Sequence, residues 1–111
     1  MDSINISEIQ FTKSSHPRQL KKVIFIGSEM TSAVTQVAYA ELPAGAIIEE
    51  HLHDTMEEFF LVLEGNCEFY LNGVPQVLIK DSVIKIAPKI KHKLKALTDA
   101  KLYYFGVSTI E

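Results

Sequence analysis

The chain predicts an all-β fold, a single β-barrel or jelly roll. Short runs rich in β-branched and aromatic residues follow one another from Lys22 to near the C-terminus. Turn pairs such as Gly65-Asn66 and Asn72-Gly73 separate several of them. Residues 84–96 alternate apolar and lysine positions, the period-two signature of a strand with one face buried and one wet. Many short strands punctuated by turns indicate a sandwich or barrel. At 111 residues the whole chain, 1–111, reads as one domain.

Taken in order, residues 1–20 are polar with scattered isoleucines. The pairs Ile4/Ile6 and Ile9/Phe11 alternate, which suits one or two short strands or an extended arm. Lys22 to Ile26 reads as a strand ending at Gly27, so 1–26 would be an N-terminal arm or strands packed on the barrel or on a partner. Residues 28–42 are ambiguous. Met30, Val34, Val37 and Glu41 are helically spaced and the alanines favour helix, whereas Val34, Thr35, Val37 and Tyr39 favour strand. Leu42-Pro43-Ala44-Gly45 reads as a turn. Strands are then expected at about 46–53, 57–64, 66–71, 74–79, 82–87, 91–97 and 101–108.

The run Phe59-Phe60-Leu61-Val62-Leu63 is apolar at every position. A strand apolar on both faces is covered on both faces. If Glu58, Phe60 and Val62 point inwards, Phe59, Leu61 and Leu63 need a cover, either residues 1–26 or a second subunit. A homodimer is the expectation, two-fold dimers being the commonest assembly.

Composition excludes several classes. Hydrophobic content is 47% and charged content 23%, against disorder. A net charge of −3 argues against a nucleic-acid partner. Lys85, Lys89, Lys91, Lys93 and Lys95 share one parity and read as a solvated strand face. The N-terminus, Met1-Asp2-Ser3-Ile4-Asn5, lacks a basic region and an apolar run, and no apolar stretch is long enough to span a membrane. The single cysteine, Cys67, excludes an internal disulfide and suits a reducing cytoplasm. It alternates with Phe69 and Leu71, as a small core residue would.

Chemistry concentrates between Gly45 and Gly65. His51 and His53 are two apart, so on a strand both imidazoles face one side, roughly 6.5–7 Å apart along the chain. Asp54 and Thr55 favour a turn that would bring Glu58 beside them. Imidazole with carboxylate suits a borderline divalent transition metal. His92 falls on the buried parity between Ile90 and Leu94, where it needs a polar partner. A metal would be one; a core carbonyl would be another. His16, beside Pro17 and Arg18, reads as a surface residue.

Gly45, His51, His53, Glu58 and Gly65 match the pattern G-x5-H-x-H-x(3,4)-E-x6-G, and here the chain resembles the cupin superfamily. Glu58, rather than Glu57, leaves the six-residue spacer to Gly65. The family's second motif, G-x5-P-x-G-x2-H-x3-N, is met only in part. His92 fits its histidine, but Asp81, Ala87, Lys89 and Ala96 stand at its first glycine, proline, second glycine and asparagine. The resemblance implies a small cupin-type β-barrel, the double-stranded β-helix, with one divalent ion (Fe, Mn, Ni, Co or Zn) held by His51, His53, Glu58 and His92. It also decides 28–42 in favour of strand and favours the homodimer.

Four protein ligands leave an octahedral ion two open positions for water, dioxygen or a bidentate substrate. An apolar lining is expected from Phe60, Val62, Ile86, Ile90 and Leu94, with Tyr104 or Tyr103 facing inwards and Gln36 as a polar wall. The expected function is a metalloenzyme on a small molecule, dioxygenase-like oxidation ahead of sugar or keto-acid isomerisation. The alternative is a non-catalytic metal- or ligand-binding module. A fold without metal would bury His51, His53 and Glu58 at a cost.

Overall fold

The computed structural model describes residues 3–13, 16 and 18–109; Met1, Asp2 and Pro17 of the readings above lie outside them. Among the described residues, ten antiparallel strands form two facing sheets. They are β1 (Thr12–Lys13), β2 (Leu20–Ile26), β3 (Val34–Leu42), β4 (Ile47–His51), β5 (Met56–Glu64), β6 (Cys67–Leu71), β7 (Val74–Leu78), β8 (Val83–Ile86), β9 (His92–Ala96) and β10 (Ala100–Ser108). One sheet runs β1-β2-β3-β10-β5-β8 and the other β4-β9-β6-β7. Short 3-10 turns at Ile6–Glu8 and Gly27–Glu29 are the helical elements among the described residues. The ambiguous 28–42 segment is therefore strand from Val34 on, and the N-terminal arm carries a 3-10 turn and one two-residue strand.

Alternation dictates the packing. Phe60 and Val62 of β5, Leu102 and Tyr104 of β10, and Ala38 and Ala40 of β3 are buried on the inner face of the larger sheet. Cys67 and Phe69 of β6 and Leu94 and Ala96 of β9 oppose them from the smaller sheet. Cys67 is fully buried, and desolvation pushes its thiol up to about 11, so it behaves as a small core residue. The lysines of the alternating run all take the outer parity. Lys85, Lys89 and Lys91 are exposed, while Lys93 rests half-buried with its ammonium over the Tyr70 ring.

The alternating run does not stay in one sheet. β8 pairs with β5 in the larger sheet, and β9 pairs with β4 and β6 in the smaller. The chain crosses between sheets at residues 87–91, where Lys89 takes a positive φ of 68° and its N–H donates to the His53 carbonyl at 2.7 Å. β4 and β5 are split in the same way, β4 in the smaller sheet and β5 in the larger. Two crossings at the same end of the barrel therefore bring His51 and His92 on one sheet to face Glu58 on the other.

Turn chemistry fixes the hairpins. Asn72 and Gly73 have φ of 48° and 80° across a two-residue loop closed by the Leu71–Val74 pair, the type I′ geometry that Asn-Gly favours. Gly65 has φ of 83°, and a Cβ there would run into the Asp99 carbonyl and sit 2.9 Å from Ala100 Cα, so both conformation and space demand glycine.

Candidate metal centre

His51 ends β4 and His92 begins β9, and the two are register partners with ring centroids 4.2 Å apart. His53 follows β4 by two residues. Glu58 projects inwards from β5, between Gly106 of β10 and Ile86 of β8. One potential ligand atom from each of His51, His53, Glu58 and His92 lies within 4.8 Å of the others. Glu58 and His92 are buried; His51 and His53 are half-buried. Glu57, the rival carboxylate, takes the opposite parity on β5 and is not part of the cluster.

The donor set fits a divalent ion. Glu58 Oε1 is 3.1 Å from His53 Nε2 and 3.1 Å from His92 Nε2. Metal–ligand bonds of about 2.1 Å separate adjacent ligands by about 3 Å and opposite ones by about 4 Å. His51 Nδ1 lies 2.8 Å from the Glu49 carbonyl and His92 Nδ1 lies 3.0 Å from the Ile90 carbonyl. Each carbonyl can take an N–H from Nδ1, which leaves the Nε2 lone pair aimed into the barrel, the arrangement metal-ligating histidines use. The four side chains could hold one ion.

Their electrostatics differ. Burial holds the His51 imidazole below its ordinary pKa, outweighing the Glu49 carbonyl that favours its charged form. Burial also opposes charging of His92, but its hydrogen bonds to Glu58 and Ile90 and the Glu58 charge together raise it. The Tyr104 hydroxyl is pushed up to about 12, chiefly by burial and then by the Glu58 charge, and it is hydrogen-bonded to the Gln19 side chain. It is a neutral donor at physiological pH.

A cavity of about 150 Å³ opens over the cluster. Gln36, Phe60 and Tyr104 line it, and Tyr104, not Tyr103, faces inwards. Tyr103 lies on the outer face against Tyr39, ring centroids 5.4 Å apart. Val62 and Ile90 do not line this cavity. Val62 is fully buried deeper in the barrel, and Ile90 packs on the core from the crossing loop. Ile86 and Leu94 are buried core residues as well.

Three lining residues had no signal in the sequence: His16, Gln19 and Lys21. The surface reading of His16 is corrected, since it is half-buried with its ring centroid 5.5 Å from that of His51. His16, Gln19 and Lys21 come to the cavity from the N-terminal part of the chain, which local polarity does not reveal. Lys21 pairs with Ala40, a residue of the inner face, so its side chain takes the inward side of β2. An inward parity starting at Lys21 and running on to Val23 was the available clue, but it requires knowing which face of β2 is inside.

The comparisons agree with this architecture. A model of the cupin domain matches residues 38–108. A predicted oxalate decarboxylase from Thermotoga maritima superposes with a TM-score of 0.89 at 19% identity, over 96% of this chain and 99% of that one. A protein from Planctomyces limnophilus gives 0.80 at 24% identity, over 100% of this chain and 91% of its own. KdgF from Halomonas sp. gives 0.78 at 18%, over 95% and 90%. No curated protein sequence matches the chain. At such identities the structures establish the fold alone. The family model covers most of the chain, including all four clustered side chains, and with the two-sheet barrel it places this protein in the cupin family.

Proposed function

We propose that this chain is a mononuclear metalloenzyme acting on a small molecule, with oxygen-dependent oxidation as the leading chemistry and sugar or keto-acid isomerisation behind it. The observation that carries the reading is the convergence of three imidazoles and one carboxylate, from both sheets, with His51, His53 and Glu58 of that cluster lining a cavity. His51, His53, Glu58 and His92 would hold one divalent ion, with Fe, Mn, Ni, Co and Zn all compatible with the donor set. When bound, such an ion supplies Lewis-acid polarisation and, if redox-active, electron transfer.

The chain's own residues do the rest. The Ile90 carbonyl orients His92, and the Glu49 carbonyl orients His51. Phe60 and Ile48 form an apolar wall that excludes water and strengthens contacts to a polar ligand. The Tyr104 hydroxyl, held by Gln19, presents a donor beside Glu58. The T. maritima neighbour's description as a predicted oxalate decarboxylase is compatible with a metal site of this kind on this fold. The reading also includes a homodimer built on the outer face of the larger sheet, and a cytoplasmic setting suited to the buried Cys67 thiol. Among the described residues no helix is long and apolar enough to cross a membrane.

The test begins with elemental analysis of protein purified without chelator, where about one transition ion per chain is expected. Fe(II)- and Mn(II)-reconstituted protein is then assayed against enolisable diketones, thiols, catechols and keto-sugars, with and without air. Turnover that requires air supports oxidation, and turnover without air supports isomerisation. Tight ligand binding with no turnover in either form would replace the enzyme by a binding module.

A further inference from the structure

The cavity over the His/Glu cluster is lined by a lysine that the four clustered side chains do not account for. Lys21 lines the same space as His51, His53, Glu58, Phe60 and Tyr104. It faces inwards because its register partner Ala40 is wholly buried on the inner face of β3. It is half-buried, and its positive charge is felt at His16, which lines the same cavity. Among the described residues no carboxylate forms an ion pair with it. Glu58, the acidic group lining this cavity, is engaged with His53 and His92. A lysine turned into a partly desolvated space without a counter-charge is costly unless an anion arrives to meet it. Nearby, Gln19 is buried and its side chain is hydrogen-bonded to Tyr104. Carboxamide and phenol therefore put neutral polar groups on the same wall as the ammonium.

We propose that Lys21 is the specificity-determining residue of this site and that the substrate is a short carboxylate with an oxygen on the adjacent carbon, a 2-oxo or 2-hydroxy acid. The inference rests on the metal reading above and gives it a substrate class. A cavity of about 150 Å³ is smaller than the roughly 300–1,000 Å³ of pockets for drug-sized ligands, so the anion has only a few carbons. An adjacent oxygen donor suits a centre with two open positions. Lys21 supplies the charge that distinguishes acid from neutral analogue. Because the residue comes from the N-terminal strand and not from the metal-binding strands, substrate choice is separable from metal binding in this chain.

The experiment compares pyruvate with pyruvamide, its neutral isostere, by calorimetric titration into Co(II)-loaded and metal-stripped protein. Wild type, Lys21→Met and Lys21→Arg are measured, with metal content determined for each. Wild type should prefer pyruvate. Lys21→Met should weaken pyruvate roughly tenfold or more, as expected for a lost charge-assisted hydrogen bond, while pyruvamide stays within about twofold. Lys21→Arg should restore most of the preference, and all three should carry the same metal. Equal affinity of wild type for the two probes, no pyruvate binding at millimolar concentration, or equal losses for both probes in Lys21→Met overturns the assignment. A wild-type protein that binds no Co(II) yet discriminates through Lys21 leaves the carboxylate site standing and removes the metal reading instead.

Discussion

Lys89 and Asp81 show how single residues shape this barrel against their own preference. Both stand where the family's second motif has glycine, and both adopt positive φ, 68° and 71°. A non-glycine residue in the left-handed region is strained by about 1–2 kcal/mol, partly offset because glycine loses more entropy on folding. Lys89→Gly should therefore raise the unfolding free energy by about 0.5–1 kcal/mol, seen as a higher urea midpoint at unchanged slope. Asp81→Gly should gain less, since aspartate tolerates this region better. A lower midpoint for Lys89→Gly would show that its side chain stabilises the crossing loop by more than the strain costs. The histidines supply the pH prediction at the same scale. Metal ligation needs neutral imidazole. His92 is raised above its ordinary value, so it gives up a proton on binding metal even near neutrality, and affinity declines as pH falls towards and through about 6.5. His51, lowered by burial, stays neutral further into acid and adds little to the decline. Calorimetry in buffers of different ionisation enthalpy should detect proton release at pH 7. Affinity constant down to pH 5 would remove the histidines from the ligand set.

β9 is the element on which inside and outside can be told apart by mutation. His92, Leu94 and Ala96 are buried, and Lys93 and Lys95 take the other face. His53→Ala or His92→Ala should lose the ion, whereas Lys93→Ala should keep it. Binding to the folded state stabilises it by about 2.7 kcal/mol at a hundredfold excess over the dissociation constant. The histidine variants should thus melt close to stripped wild type and show no upward shift when metal is added. Removing His92 also leaves Glu58 short of one buried partner, so that variant should fall somewhat below stripped wild type. Metal loss in the Lys93 variant as complete as in His53→Ala would contradict the assignment of faces. β2 carries a parallel lesson. It is one strand of the larger sheet by hydrogen bonding, yet its inward residue Lys21 lines the cavity.

For the whole molecule, the open question of packing is the outer face of the larger sheet. Phe11 of the N-terminal arm covers part of it, its ring 6.4 Å from Tyr39, which is 6% exposed. The arm leaves the β5, β8 and β10 side uncovered: Phe105 is 39% exposed and Val83 64%, with Phe59 stacked on Phe105 and Leu61 beside them. A flat apolar area of this kind is what a second copy would cover. Light scattering at micromolar concentration should give twice the 12.5 kDa chain mass. Leu61→Lys should shift the mass to monomer, because its ammonium would lie in the interface. A wild-type monomer would mean that this face is tolerated in water.

Local pattern by itself determined the all-β class, most strand positions and the buried parity of His92; the resemblance to the cupin pattern singled out His51, His53, Glu58 and His92 as a set. Alternation forces parity, whereas the meeting of His51, His53, Glu58 and His92 depends on two crossings between the sheets. The Asn72-Gly73 hairpin was legible because its conformation is a property of the two residues themselves. Only the tertiary structure decided which sheet each strand joins, since a strand's own residues do not name its partner. For the same reason β8 and β9 part company within one uninterrupted alternating run. Tyr104 over Tyr103 was settled by the register of β10 between β3 and β5. His16, Gln19 and Lys21 were missed because they reach the cavity from a distant part of the chain. Their role is set by long-range closure, which no local periodicity encodes.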